Sequence, residues 1–287
     1  MLSSASQRLN IATLVSIALP AFALEPFVHE FLGHAVTAWL TGAKVILVSS
    51  TAMQTEGGSL AVPAAGPLSN LVFGVFAYLI LRRIPRFTPA RYFIWIFALA
   101  NLFLGFGYIL YSGVINFGDS AYVIAGLHPA WLYRAALILF GAWGYRSTIG
   151  LAAQDTAGLL RNGSILASEV PRLIYPACFA GSLLYLVASF LNPVSPSLIL
   201  YDGVSMAAGI AIGFCLLPRV IKERYQSSAT PPSSAASGEP AAPKAAEAAP
   251  STLTPPVLLP FSTAWIAVAC VSTVLFLVFL GHGFRPR

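Results

Sequence analysis

Charge is scarce in this chain. Asp, Glu, Lys and Arg together supply 9% of its 287 residues, where soluble domains carry about a quarter. So few charges cannot cover a globule that faces water on every side, and a soluble domain is excluded. Cysteine is scarcer still: Cys178, Cys215 and Cys270 stand singly in apolar segments with no Cys-x-x-Cys spacing, so they read as small core residues and say little about redox compartment. The net charge of +6 comes largely from Lys and Arg at the ends of apolar runs. No basic stretch carries interleaved aromatics, and no nucleic-acid partner is expected. No internal repeat is visible, which counts against a transporter built from paired halves.

What abounds is apolar length. Hydrophobic residues make up 57% of the chain and mean hydropathy is +0.78, with several runs long enough to cross a hydrocarbon layer about 30 Å thick. The expected fold is an all-α polytopic membrane protein of about seven transmembrane helices, with a small β-hairpin after the first, set in a lipid bilayer. Arg8 and the run 9–24, ending in Ala21-Phe22-Ala23, have the outline of a cleaved signal peptide. Apolar character resumes at Pro26, however, and one long helix over 10–40, kinked at Pro20 and Pro26 and stopped by Thr41-Gly42, is the simpler reading. The β-branched stretch 44–48, the turn signal Glu56-Gly57-Gly58 and the strand-like 59–62 predict the hairpin. Further spans are expected over 64–81, 92–111, 130–153, 173–191, 202–219 and 257–280. Arg82, Arg83, Arg86 and Arg91, then Arg161 and Arg172, then Arg219, Lys222 and Arg224 mark cytoplasmic ends. That puts the N-terminus in the cytoplasm, and a bacterial inner membrane is the expected location. The Ala/Pro/Ser-rich stretch 226–256 reads as a disordered linker that leaves the last helix loosely tethered. The organisation is then a core over 1–125, additional helices over 126–225, that linker, and a C-terminal helix over 257–287.

Val28-His29-Glu30-Phe31-Leu32-Gly33-His34-Ala35 interrupts the first apolar run with two imidazoles and a carboxylate. Such groups are expensive inside a bilayer and mark function by default. In the expected topology His29, His34, the 64–70 entry, Asp119 and Asp202 all emerge at one non-cytoplasmic face. Imidazole and carboxylate donors suit Zn²⁺, and hydrolysis there needs a further carboxylate to move protons. His29 and His34 with Asp119 or Asp202 supply the ligands, and Glu30 the proton acceptor. Chain order favours Asp119, which follows the third span directly; Asp202, in Leu200-Tyr201-Asp202-Gly203, is the alternative. Each feature also has a plain structural role: hydrogen-bonded interfacial histidines, a helix start at Gly66-Pro67, and Asn70 and Asn101 as interhelical hydrogen bonders.

His29-Glu30 with Gly33-His34, then Ala65-Gly66-Pro67-Leu68-Ser69-Asn70, then Asn101-Leu102 leading to an aspartate, resemble the site-2-protease family of intramembrane zinc metalloproteases over residues 1–125. The resemblance implies a membrane zinc metallopeptidase whose hairpin pairs with an extended membrane-protein or membrane-proximal peptide substrate. It also implies a role for Asn70 beside Glu30 in catalysis. The histidines are five apart here, where the family has four. On a regular helix four steps separate side chains by about 40° and five by about 140°. A π-bulge within 30–33 restores a shared face, and Gly33 eases the distortion. Without the bulge, Glu30 and His34 form a structural couple in a catalytically inactive scaffold that binds partner proteins.

Overall fold

The computed structural model describes residues 9–227 and 259–286. Arg8, the first marker of the expected orientation, lies outside them, as does the expected linker apart from Gln226 and Ser227, which end a helix.

Helix α1 (Ile11–Leu40) is one continuous element capped by Asn10, whose side chain accepts the Thr13 backbone N–H. It passes through Pro20 and Pro26 and stops at Thr41-Gly42, where Gly42 takes φ +77°. Pro26 offers no N–H to the carbonyl of Phe22 four residues back; the Tyr185 hydroxyl donates to that oxygen at 3.2 Å. Directly after Pro26 the hydrogen bonding switches to the wider π pattern over Phe27–Ala35, and the α pattern returns at Val36. The distortion is thus present and longer than the short bulge expected over 30–33.

Strands β1 (Lys44–Val48) and β2 (Met53–Glu56) form an antiparallel hairpin, with Lys44 opposite Glu56 and Val48 opposite Met53. The second strand is not 59–62. Gly57 and Gly58 take positive φ and end β2, and helix α2 (Ala61–Leu81) begins three residues earlier than expected. A Pro at position 63 suits a helical first turn, whose N–H groups have no partner in the helix. Next come α3 (Pro89–Ile115), the short α4 (Asp119–Val123), α5 (Ala130–Arg161), α6 (Val170–Leu191), α7 (Ile199–Ser227, with a π turn over Ile199–Val204) and α8 (Thr263–Gly281).

Six of these, α1, α2, α3, α6, α7 and α8, are long and apolar enough to cross a membrane. The expected count was about seven. At 32 residues α5 is long enough, but Arg134, Arg146 and Asp155 dilute its apolar character and it falls outside that set. Phe76 and Val72 on α2 and Phe179 and Phe190 on α6 lie exposed on the outer surface, which suits lipid tails as apolar as the side chains they touch. The protein is an all-α, multi-pass membrane protein with one small hairpin.

The packing centre is aromatic. Phe22 of α1 meets Tyr185 of α6 edge-on at 6.0 Å and Phe214 of α7 at 6.1 Å, and Phe214 meets Phe103 of α3 at 5.8 Å. The last helix is not loosely held. At one end the Asn10 N–H donates to Leu259 O and the Thr13 hydroxyl donates to Pro260 O. At the other, Val48 and Phe284 exchange backbone hydrogen bonds at 2.8 and 2.7 Å.

Arg91 departs from the expected cytoplasmic cluster. Arg82, Arg83 and Arg86 are exposed, but Arg91 is 4% exposed. Its guanidinium donates to the carbonyls of Leu81 and Ile84 and pairs with Asp155 of α5 at 2.5 Å, so it clamps α2, α3 and α5 together. Removing one partner strands the other charge in the interior. Asp155→Ala should therefore lower stability by about 3–5 kcal/mol, read as a fall in the thermal midpoint in detergent, with Asp155→Asn milder because it keeps an acceptor for Arg91.

Candidate metal centre

The widened turn decides the site. With i→i+5 hydrogen bonding, a residue five along lies roughly one turn above its partner, so His29 and His34 face the same way. Their rings meet edge to face at 4.8 Å. Helix α2 supplies the floor. A Cβ on Gly66 would lie 2.4 Å from His34 Nε2 and 2.6 Å from His29 Nε2, and a Cβ on Gly33 would lie 2.8 Å from Gly66 Cα. Gly33 does not take positive φ. Its task is close approach to α2, in addition to any easing of the bulge.

Asp119 is delivered by a tight return. Asn116 closes α3 in the left-handed region (φ 60°), Gly118 follows with φ +85°, and Asp119 opens α4. A Cβ at Gly118 would also strike the Tyr108 hydroxyl at 2.5 Å. Asp119 Oδ2 then sits 3.2 Å from His29 Nε2 and 3.1 Å from His34 Nε2. Burial opposes its charge, but His34 and then His29 outweigh that and hold the carboxyl well below the usual carboxylate range.

These three side chains offer ligand atoms within 4.8 Å of one another. Ligand atoms about 2.0–2.1 Å from a tetrahedral ion stand roughly 3.3 Å apart, close to both His–Asp separations. His34 makes the fit sharper. Its Nδ1–H donates to the Val62 carbonyl at 2.7 Å, which leaves Nε2 to face a carboxylate oxygen with a lone pair unless a cation or a second proton intervenes. The donor set therefore fits a divalent cation of zinc type.

A cavity of about 560 Å³ opens over the triad. Glu30 lines it, and one Glu30 carboxylate oxygen is enclosed without a hydrogen-bond partner. Asp202 reaches the same cavity from the π turn of α7 but stands outside the group of ligand atoms. Asn70 directs its amide nitrogen at Glu25 Oε1 (2.7 Å) and His29 Nδ1 (3.2 Å). Asn101 does not belong to the site: it donates to Phe97 O in its own helix and stays off the cavity. Three participants escape the sequence reading. Glu25 was legible as a lone carboxylate in the same apolar run, one turn before His29. Tyr108, packed on His29 at 5.7 Å, and Tyr185 carry no such signal among many membrane tyrosines.

Gly66→Ala should push both imidazoles off their common face. The variant is expected to fold with a loss of about 1–3 kcal/mol and to lose divalent-cation binding, measured as metal per protein after purification.

No family model, no curated protein and no solved structure matches the chain.

Proposed function

We propose that this protein is a membrane-embedded zinc metallopeptidase of site-2-protease type, hydrolysing a peptide bond in or near the membrane. The observation that carries the reading is the π segment of α1, which turns a five-residue histidine spacing into two imidazole nitrogens on one Asp119 oxygen. His29, His34 and Asp119 would hold the ion. Bound Zn²⁺ supplies Lewis acidity, which acidifies water and polarises a carbonyl.

The rest falls to the chain. Glu30, buried on the cavity wall, takes the proton of the attacking water and passes it to the leaving amine. Asn70 is better assigned to support of His29 than to the oxyanion, because its amide nitrogen is already engaged by Glu25 and His29. Ser50, Thr51, Met53 and Thr55 of the hairpin line the cavity. Within the described residues β1 is paired on both sides, by β2 and by Phe284, while β2 keeps one open edge. An extended substrate adds to that edge by backbone hydrogen bonds, exposing a membrane helix's peptide bonds to the site. The substrate is a membrane protein or a membrane-proximal peptide. The proposed location is a bacterial inner membrane with a cytoplasmic N-terminus, supported by the arginines gathered at the loop between α2 and α3 and at the end of α5.

Glu30→Gln should keep its zinc and lose hydrolysis of single-span peptide substrates by about 10²–10⁴-fold, whereas His34→Ala should lose both. Stoichiometric zinc without any hydrolysis by the unaltered protein would favour the partner-binding scaffold instead, and absence of zinc binding would overturn the metallopeptidase reading.

A further inference from the structure

Glu25, like Asp202, is a buried carboxyl group for which the proposed chemistry has no use. It is 1% exposed in the middle of an apolar helix, a placement that persists only where hydrogen bonds compensate it. Both oxygens are engaged: Asn70 Nδ2 donates to Oε1 at 2.7 Å, and the Tyr185 hydroxyl lies 3.0 Å from Oε2. Asn70 is itself 1% exposed and Tyr185 2%, so the link from Tyr185 through Glu25 and Asn70 to His29 Nδ1 runs just beneath the cavity wall, with Glu25, Asn70 and His29 in its lining.

The two histidines are supported differently. His34 donates its Nδ1–H to a carbonyl, which can only accept, and its Nε2 is left with a lone pair on the side of Asp119. His29 faces an amide instead. With Asn70 Nδ2 as donor, His29 Nδ1 accepts and its proton sits on Nε2, toward Asp119. A ring in that tautomer offers no lone pair at Nε2 to an ion. Freeing Nε2 moves the proton to Nδ1 and requires Asn70 to present its oxygen there. Asn70 Oδ1 is buried without a partner as it stands, so turning the amide over exchanges one unpartnered end for the other. The oxygen then faces residue 25 as well, which must donate to it.

We propose that Glu25 is a positioning residue for the metal centre: with Tyr185 it sets the orientation of the Asn70 amide, and through it which nitrogen of His29 is free to bind an ion. The proposal rests on the zinc reading above. Residue 25 must accept from the amide in one state and donate to it in the other. A carboxyl group does both by gaining a proton, glutamine does both with its own amide, and leucine does neither. Outer partners of metal-bound imidazoles commonly change affinity by about 10–100-fold when removed.

The test is Zn²⁺ titration of the purified full chain in detergent micelles, with the visible spectrum of added Co²⁺ as a report on the ligands. Glu25→Gln should bind Zn²⁺ as the unaltered protein does and leave the Co²⁺ spectrum unchanged. Glu25→Leu should bind on the order of 10–100-fold more weakly, and Tyr185→Phe should weaken binding to a lesser degree. Unaltered affinity in Glu25→Leu overturns the proposal, as does Glu25→Gln as weak as Glu25→Leu, which would make charge the requirement. If Glu25→Leu does not fold, unaltered affinity in Tyr185→Phe decides against it. Failure of the zinc reading itself is distinguishable, because the unaltered protein would then bind no Zn²⁺.

Discussion

Nine residues of α1, Phe27 to Ala35, hydrogen-bond with a five-residue step, and the meeting of both imidazoles on Asp119 depends on that. The step absorbs one residue, so two imidazoles that an ordinary helix would point about 140° apart share a face. Wider turns are less favourable than α turns and need support from neighbours. Here the support is visible at both levels of the bundle. Tyr185 of α6 reaches the Phe22 carbonyl that Pro26 leaves open, and Ser69 of α2 donates to the Val28 carbonyl at 3.0 Å. The irregular segment is therefore held by two helices that also shape the cavity, and its geometry cannot relax without moving them.

Much of the architecture was legible because lipid imposes few solutions. Apolar runs of span length, arginines at their ends and glycine or proline at their limits locate α1, α2, α3, α6 and α8 closely. The misreadings have physical causes. Residues 59–62 look strand-like because Leu, Ala and Val suit either state, and only the packing of Val62 beside His34 shows them to be a helix entry. Arg91 looks like one more cytoplasmic arginine because sequence does not reveal that Asp155, far along the chain, lies opposite it. At the site, the His29–His34 spacing by itself calls for a distortion, and chain order favours Asp119 over Asp202. Tyr108, Tyr185 and the Glu25–Asn70 contact arise only when α1, α2, α3 and α6 meet, and no local pattern encodes them.

The polar content of the site is lopsided. Glu25, Glu30, Asp119 and Asp202 share one cavity with two imidazoles, four carboxyl groups in surroundings that solvate charge poorly, and of the four only Asp119 stands against both histidines. Gly33 and Gly66, meeting between α1 and α2, bring a helix backbone against the imidazole edges, so the rings are fixed by contact on one side and by hydrogen bonds on the other.

The backbone exchange between Val48 and Phe284 gives the C-terminus a part in the geometry of the hairpin. Together with the contacts of Asn10 and Thr13 at its other end, it makes α8 a splint laid along α1, fastened near residue 10 and again near residue 48. The hairpin is thereby braced from behind, and Met53 and Thr55 of β2 line the cavity. Phe284 therefore bears on β1, and through the hairpin on the cavity wall, although it contributes no ligand to the site.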